Sequence, residues 1–476
     1  MWIFRFPSPL TLLCGIPAAL WILPPALAIG GEVLSIGGRL EPFVDLFLIE
    51  SLETAELRLH PPTPREIVFT FDQPWEGPSS AYCTVLQDGN RYRLYYRGYC
   101  PDDLDTQQVS CMAESTDGIH FTRPRLQLYE FNGSKDNNIV WRGKEAHNFA
   151  PFLDANPHCP PDEKWKALGG LPPVAFVSAD GIHWRKKQEL PVLTEGAFDS
   201  LNIAFWDTEA GCYRSYSRSW TKGDLGGFRT IQSATSDDFL HWSKPVQNQY
   251  AAGIPIEHFY TNACVPYPRA PHIFLSFPKR FVPERKKIAE WEGSGVSDAV
   301  FMSSRDGVHW DRCFLEAWIR PGLDRRNWTH RNIMPAWGLL ELNPEEYSLY
   351  HSEHYQWEDA RLRRVTVRKD GFASLHAGAR EGTVLTKPFR FEGTALRLNY
   401  STSAAGHIRC EILEEAGEPL PGFSGDTAAV MFGDSLDELV VWPQGKDVAS
   451  LQDRPIRLRI SLRDADLFAI RFGAGE

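Results

Sequence analysis

The sequence predicts an all-β protein, a five-bladed β-propeller followed by a C-terminal β-sandwich. The main observation is a polar turn with aspartate and usually glycine, closed by an aromatic or small apolar position, which recurs at residues 115–121, 178–184, 236–242, 304–310 and, in degenerate form, 368–372. Such a period, about sixty residues, is too long for a solenoid coil and suits one four-stranded blade with insertions. Scattered glycines and prolines are typical of many short strands joined by turns.

Each turn closes a unit that the sequence divides into four strands. A run with strand-like alternation precedes each turn, at residues 91–97, 164–170, 213–218, 272–280 and 347–353, and further strands lie on either side of the run. The Asp-Gly pair permits the positive φ of a tight hairpin, and the aromatic residue after it can pack between sheets. We therefore expect five blades, each built as strand, turn, strand, loop, strand, Asp-Gly turn, strand.

The chain is expected to divide into four parts. Residues 1–28 are predicted as a signal peptide, 29–75 as an N-terminal segment, 76–378 as the propeller and 386–476 as the sandwich. The last part contains short strand-like segments and no Asp-Gly turn followed by an aromatic residue, and a β-sandwich is the simplest closure for such a set.

The first residues have the three parts of an export signal in order: a positive charge, an apolar run and a cleavage site. Arg5 is followed by an apolar run from Leu10 to Leu27, and residues 26–28 form a small-x-small cleavage site. The alternative is an uncleaved membrane anchor, because the run is long for the apolar region of a signal peptide. We expect a secreted or periplasmic protein with no membrane association after cleavage.

Composition limits the classes of partner. The net charge of −11 argues against nucleic acid, which requires a concentrated basic surface, and is compatible with a neutral ligand such as a sugar. The eight cysteines after residue 28 form no CxxC pair, so no structural metal is predicted. Cys100 and Cys111 bracket a loop and could form a disulfide. No cofactor is predicted, a central calcium ion is left open, and the sequence predicts no oligomeric state.

A second repeat marks the side of the propeller where a ligand would bind. Four of the predicted inner strands open with an asparagine, namely Asn148, Asn202, Asn262 and Asn332. The antiparallel neighbouring strand of a blade returns to the same mouth of the channel and carries Arg97, Arg218, Arg280 or Glu353. A ring of amides, guanidinium groups and carboxylates suits a polyhydroxylated ligand, which needs many directional donors and acceptors. The alternative is that the asparagines bond neighbouring backbone. The histidines of the turns are expected to be architectural.

Two features carry a family resemblance. One is the set of Asp-Gly turns, and the other is the segment 462–472, which is similar to the ending of exported bacterial glycosyl-hydrolase-like proteins. The chain resembles the glycoside hydrolase superfamily that includes invertases, levansucrases, arabinanases and β-xylosidases. This resemblance implies a carbohydrate substrate and paired carboxylates on the inner strands of the early blades, one a nucleophile or base and the other a general acid.

The paired carboxylates of this superfamily can be assigned only in part to residues of this sequence. The Asp-Pro motif expected on the first inner strand is absent, with Glu76 nearby, and Asn148 occupies the place of an expected aspartate. A neutral amide neither transfers a proton nor acts as the nucleophile. Asp199 is the best-placed acid, Glu353 or Glu257 could be its partner, and Glu76 is the next candidate. The sequence thus predicts a glycoside hydrolase, with a non-catalytic carbohydrate-binding protein on the same scaffold as the alternative.

Overall fold

The computed structural model describes residues 33–99, 108–223 and 225–475. The predicted signal peptide and Cys100, half of the suggested disulfide, lie outside these residues. The described cysteines are free thiols, and Cys83, Cys111, Cys264 and Cys410 are buried. Within the same ranges, no helix is long and apolar enough to cross a membrane.

The predicted all-β class is confirmed, because strands dominate and the helical elements are single 3₁₀ turns. These turns span Lys144–Ala146, Pro161–Glu163, Arg325–Trp328, Gly425–Thr427, Pro443–Gly445 and Ala449–Leu451. The strands form five small antiparallel sheets that follow one another along the chain, one further three-stranded sheet and one large sheet.

In the first four small sheets, hydrogen bonding follows the order of the strands in the chain, as predicted for each repeat unit. Sheet 1 contains Ala81–Asp88, Arg91–Tyr99, Gln108–Ser115 and Ile139–Arg142. Sheet 2 contains Ala150–Leu153, Trp165–Gly169, Val174–Ser178 and Arg185–Lys186. Sheet 3 contains Ile203–Asp207, Cys212–Trp220, Arg229–Ser236 and Val246–Gln247. Sheet 4 contains Val265–Tyr267, Ala270–Ser276, Met302–Ser304 and Trp310–Asp311. The three-stranded sheet contains His258–Phe259, Lys279–Val282 and Val296–Ala299, which lie before and between the strands of sheet 4 in the sequence.

Sheet 5 takes its last strand from the N-terminal segment. It contains Met334–Pro335, Leu340–Glu341, Glu346–Glu353 and Arg361–Arg368, and Thr63–Thr70 pairs with the last of these. After the fifth turn the chain enters the large sheet instead of forming another strand of sheet 5. The beginning and end of the repeat region are therefore hydrogen-bonded to each other.

The large sheet has eleven strands and an apolar core of its own. Its strands are Leu34–Gly37, Leu40–Pro42, Ile49–Glu53, Glu56–Leu59, Ala373–Ala377, Gly382–Thr386, Phe389–Phe391, Ala395–Glu414, Ala429–Met431, Asp434–Leu439 and Ile456–Gly473. The two longest pair with each other along most of their length. The sheet thus includes strands from the predicted N-terminal segment, and one strand that precedes the predicted domain limit at residue 378.

The first four Asp-Gly turns share one set of hydrogen bonds. In each, the aspartate Oδ1 accepts bonds from the backbone N–H groups two and three residues further on. Its Oδ2 contacts the Nδ1 of the turn histidine at 2.6 or 2.7 Å. In the first turn, the His120 bond is the largest of the effects that hold the pKa of Asp117 below its usual range. The turn histidines therefore act within the turns.

The turns also join neighbouring small sheets. Tyr95 of sheet 1 donates to the Gly181 carbonyl beside sheet 2 at 2.9 Å, and Tyr350 of sheet 5 donates to the Gly118 carbonyl beside sheet 1 at 2.6 Å. Equivalent contacts join sheets 2 and 3 through Phe152 and Phe239, sheets 3 and 4 through Tyr216 and Gly307, and sheets 4 and 5 through Tyr267 and Asp370. Each small sheet thus contacts the turn of the next, and the fifth contacts the first.

We expect Gly181→Ala to destabilise the protein by about 3 kcal/mol, measured as the free energy of unfolding in urea. Gly181 has a φ of 74°, and a Cβ there would lie 2.6 Å from the Tyr95 hydroxyl, so left-handed strain adds to a steric clash. Gly89→Ala is the matched control. Gly89 has a φ of 61° with open space around it, and this variant should lose only about 1 kcal/mol. Equal losses would show that the turn does not need its close contact.

Candidate functional site

Asp199 is a half-exposed carboxylate surrounded by donor groups. It lies just before the first strand of sheet 3, and 47% of its side chain is exposed. The Tyr260 hydroxyl donates to its Oδ2 at 3.3 Å, His147 Nε2 lies 3.4 Å from Oδ1, and Arg218 Nη2 lies 3.9 Å from Oδ2. The contact with His147, together with Arg218, outweighs burial and holds the pKa of Asp199 below its usual range. The carboxylate is therefore ionised at neutral pH.

Three cations surround the ring of Tyr260, which follows the strand His258–Phe259. Lys279 Nζ lies 4.0 Å from the ring centroid, and the guanidinium carbons of Arg218 and Arg229 lie 4.6 and 5.6 Å from it. Arg229 also lies 4.6 Å from the ring centroid of Trp220. Aromatic faces attract cations, so these rings hold the positive groups in place without neutralising them.

Two further arginines reach the same site from sheets 1 and 5. The guanidinium of Arg97 lies 4.6 Å from the ring centroid of Tyr82, and Arg331 Nη1 donates to the Tyr355 hydroxyl at 3.0 Å. Burial raises the pKa of Tyr82 well above its usual value, and Tyr260 and Asp199 raise it further. Side chains from sheets 1, 2, 3 and 5 and from the three-stranded sheet, or from the residues flanking their strands, therefore meet around Asp199.

Burial and neighbouring arginines shift the pKa values of several groups at this site. Burial lowers the pKa of Lys279 well below its usual value, and Arg331 and Arg218 lower it further. Burial and Arg331 lower the pKa of His330 to about 4. Burial acts to raise the pKa of Tyr355, yet Arg97 and Arg331 bring it below 10.0 because they stabilise the phenolate.

The backbone is strained where the inner strands approach this site. Non-glycine residues with positive φ include Tyr82 at 55°, Asn148 at 53°, Ala263 at 44° and Arg331 at 66°. Such conformations cost on the order of 1–3 kcal/mol each and persist where the surrounding structure enforces them, often at functional sites. Their recurrence in sheets 1, 2, 4 and 5 indicates that the site is built by the fold as a whole.

The four repeated asparagines are buried and bonded within the protein. Asn148 accepts a bond from Arg97 at 3.4 Å, Asn202 donates to the Phe198 carbonyl at 2.8 Å, and Asn262 donates to the Leu201 carbonyl at 3.3 Å. Asn332 donates to Thr329 and accepts from the Tyr355 backbone N–H at 2.8 Å. These contacts correct the prediction of an amide ring facing the ligand, because the amides instead fix the backbone from which neighbouring side chains reach the site.

Glu76, predicted as a catalytic acid, lies in a buried ion pair. Its side chain is fully buried and accepts two bonds from Arg123, at 2.9 and 2.8 Å, as well as one from the Tyr96 hydroxyl. The backbone N–H of Gln73 donates to the same carboxylate at 3.0 Å. With these partners filling its acceptor positions, Glu76 is placed to hold sheet 1 together and not to reach a ligand.

Glu353 and Arg280 are likewise engaged in ion pairs, which corrects their predicted roles. Buried Glu353 accepts from Arg363 at 2.6 Å and from Arg361 at 2.9 Å. Arg280 makes two bonds to Asp298, at 2.9 and 2.7 Å, and one to Glu257 at 3.1 Å. Of the predicted site residues, the structure thus brings Arg97 and Arg218 to Asp199.

Sequence reasoning missed several residues of this site. They are Tyr82, His147, Arg229, Tyr260, Lys279, Arg331 and Tyr355. Position gives a signal for some of them, because His147 and Arg331 directly precede repeated asparagines and Lys279 precedes Arg280. In two sheets the side chain that lies at this site belongs to the residue before the repeated asparagine.

The surroundings of the site include a cavity and no evident metal centre. A cavity of about 520 Å³ has Ala197, Gln232 and Trp220 among its lining residues, and the Trp220 ring also faces Arg229. Across the described ranges, no group of three or more His, Cys, Asp or Glu residues is arranged to hold a metal ion.

Comparison with known proteins gives only weak similarity. No family model and no curated protein matches the chain. An N-acetylgalactosamine deacetylase from F. plautii, in complex with blood group B trisaccharide, is 13% identical over 66% of this chain and 96% of its own, with a TM-score of 0.45. A β-fructofuranosidase from Bombyx mori is 11% identical over 88% and 95%, with a TM-score of 0.40. A β-1,2-mannobiose phosphorylase from Listeria innocua is 12% identical over 64% and 96%, with a TM-score of 0.41. Similarity at this level assigns no function to the chain.

Proposed function

We propose that the five small sheets are the blades of a propeller, that the large sheet folds as a sandwich, and that the protein acts on a carbohydrate at Asp199. The observation that carries this proposal is the meeting of side chains from four of the small sheets and the three-stranded sheet around one half-exposed, ionised carboxylate. A funnel at the end of a propeller channel gives such a convergence.

The chemistry around Asp199 suits a polyhydroxylated ligand. The carboxylate accepts hydrogen bonds, and the guanidinium groups around it donate them. Because Asp199 is ionised, its role in a reaction is that of a base or nucleophile and not that of an acid.

A hydrolase at this site also needs a group that gives a proton to the leaving oxygen. The predicted partners Glu353 and Glu76 are held by arginines. Tyr355 is a described group that fits the role, because nearby arginines lower the pKa of its hydroxyl. We therefore propose Asp199 and Tyr355 as the reacting groups in place of a pair of carboxylates.

A carbohydrate-binding protein without catalysis is the second candidate. The specific observation that favours it is the engagement of both other predicted acids in buried ion pairs, together with an amide at Asn148. Such a protein would use the same site, and the two candidates differ only in whether the bound sugar reacts.

We expect Asp199→Asn to lower kcat/KM by about 100-fold on whichever substrate a glycan panel identifies, because the variant loses its base. The panel should record both turnover and binding by the purified protein. Asp162→Asn, which changes an aspartate whose side chain is 70% exposed, is the control and should keep full turnover. Binding without turnover would select the second candidate, and full turnover by folded Asp199→Asn would refute the role of this residue.

A further inference from the structure

The site around Asp199 contains more positive groups than negative ones. Five basic side chains converge there, namely Arg97, Arg218, Arg229, Lys279 and Arg331. We propose that this basic cluster binds an oxyanion, a carboxylate, sulfate or phosphate group, carried by the sugar substrate. The inference rests on the proposed function and adds the chemical class of the ligand.

The first argument is unused hydrogen-bonding capacity. Lys279 is fully buried, and its Nζ has no hydrogen-bond partner among the described residues. The Nε atoms of Arg97, Arg218 and Arg229 are buried and also lack a partner within that part of the chain. Buried polar groups are normally bonded, and a group left unsatisfied destabilises the fold. Four such donors at one site indicate that a ligand supplies the acceptors.

The second argument is a comparison with buried cations elsewhere in the same chain. Lys166 is equally buried, and its Nζ lies 2.6 Å from the carboxylate of Asp154. Buried Arg312 lies 2.6 Å from Glu257. Lys279 has no carboxylate within ion-pair distance among the described residues, although acidic residues outnumber basic ones in this protein. The lack of acidic partners is therefore a property of this site.

Aromatic contacts alone do not account for the cluster. The free energy that a cation gains from contact with a ring is smaller than the free energy that burial of an ion costs, even after relaxation. Asp199 supplies one negative charge to the cluster, at 3.9 Å from Arg218. An oxyanion contributes at least one more charge and two or three acceptor oxygens, which matches the donors that have no partner.

The titration behaviour of the neighbouring groups agrees with this geometry. Burial, and after it the neighbouring arginines, lower the pKa of Lys279 and of His330, and Arg97 and Arg331 lower that of Tyr355. An anion would reverse the effect on Lys279 and favour its charged form. Asp199 repels an anion placed beside it, so the oxyanion binds on the Lys279 side of Tyr260 and the sugar hydroxyls lie toward Asp199.

The experiment measures the binding of four probes by calorimetry with the full-length protein: D-glucuronate, D-glucose 6-sulfate, D-glucose and inorganic phosphate. We expect the acidic sugars to bind at least about 10-fold more tightly than glucose, with the difference shrinking as salt is raised. Arg229→Met should remove most of this difference, because the variant lacks the guanidinium charge. Methionine is chosen because its long apolar side chain preserves the packing on Trp220. If that variant does not fold, Lys279→Met replaces it.

Arg454→Met is the control, because Arg454 is exposed and pairs with Glu414 on the large sheet. It should retain the preference for acidic sugars. Equal affinity for glucuronate, glucose 6-sulfate and glucose overturns the oxyanion inference and leaves the proposed carbohydrate function standing. Phosphate that binds as tightly as the acidic sugars, with sensitivity to Arg229→Met, confirms the oxyanion site and assigns it to a free anion. Failure of all three anionic probes to bind at about 10 mM overturns the inference.

Discussion

Replacing Glu76 by alanine should lower the free energy of unfolding by about 4 kcal/mol, one of the largest losses expected from a single change in this chain. Removal of one partner from a buried ion pair leaves the other charge and its hydrogen-bonding groups without partners. Glu76 has a fully buried side chain that binds Arg123 and the Tyr96 hydroxyl. The measurement is the urea dependence of tryptophan fluorescence, compared with the wild type.

Asp72→Asn is the matched control for this prediction. Asp72 contacts the same Arg123 at 3.2 Å, but its side chain is 56% exposed, so the loss should stay within about 1 kcal/mol. If Glu76→Ala unfolded at the wild-type urea concentration and lost turnover instead, Glu76 would be a catalytic residue and its structural role would be wrong.

The fold class was predictable because its signals are local. An aspartate that binds the backbone two and three residues further on identifies four of the turns from a few consecutive residues, and three of these also have a glycine with positive φ. The pairing of Thr63–Thr70 with Arg361–Arg368 has no such signal, since the partners lie far apart in the sequence. The strands shared between the N-terminal segment and the large sheet were missed for the same reason.

The site was only partly predictable, because the roles of its residues depend on partners from other sheets. Nothing local distinguishes Glu353, which is held by Arg361 and Arg363, from Asp199, which is half exposed. Both lie beside a predicted strand and carry the same type of charge. Lys279 shows the converse case, because a lysine in an alternating strand is usually solvated, and here the close packing of sheets buries it without an acid.

The two buried lysines allow a direct test of what the basic cluster is for. Lys166 has Asp154 as its partner, and that carboxylate is fully buried. Lys166→Met should therefore destabilise the protein by about 3–5 kcal/mol, since it leaves Asp154 buried without its cation. Lys279→Met removes a buried amine that has no partner within the described residues, so this variant should be about as stable as the wild type or more stable, by up to about 3 kcal/mol at neutral pH.

The pH dependence of the free energy of unfolding distinguishes the loss of the Lys279 amine from a change in packing. The pKa of Lys279 is lowered in the folded protein, so between that value and the unfolded value of 10.5 the unfolded chain binds more protons, and wild-type stability rises with pH. The stability advantage of Lys279→Met should accordingly be largest at low pH and shrink toward pH 10.5, as urea titrations at several pH values would show. The same variant should bind glucuronate at least about 10-fold more weakly, because it lacks the amine whose protonated form a bound oxyanion would favour and pair with. A variant that is both more stable and weaker in anion binding would show that the unpaired amine is maintained for the ligand, whereas lower stability with unchanged binding would assign Lys279 to the architecture of the three-stranded sheet.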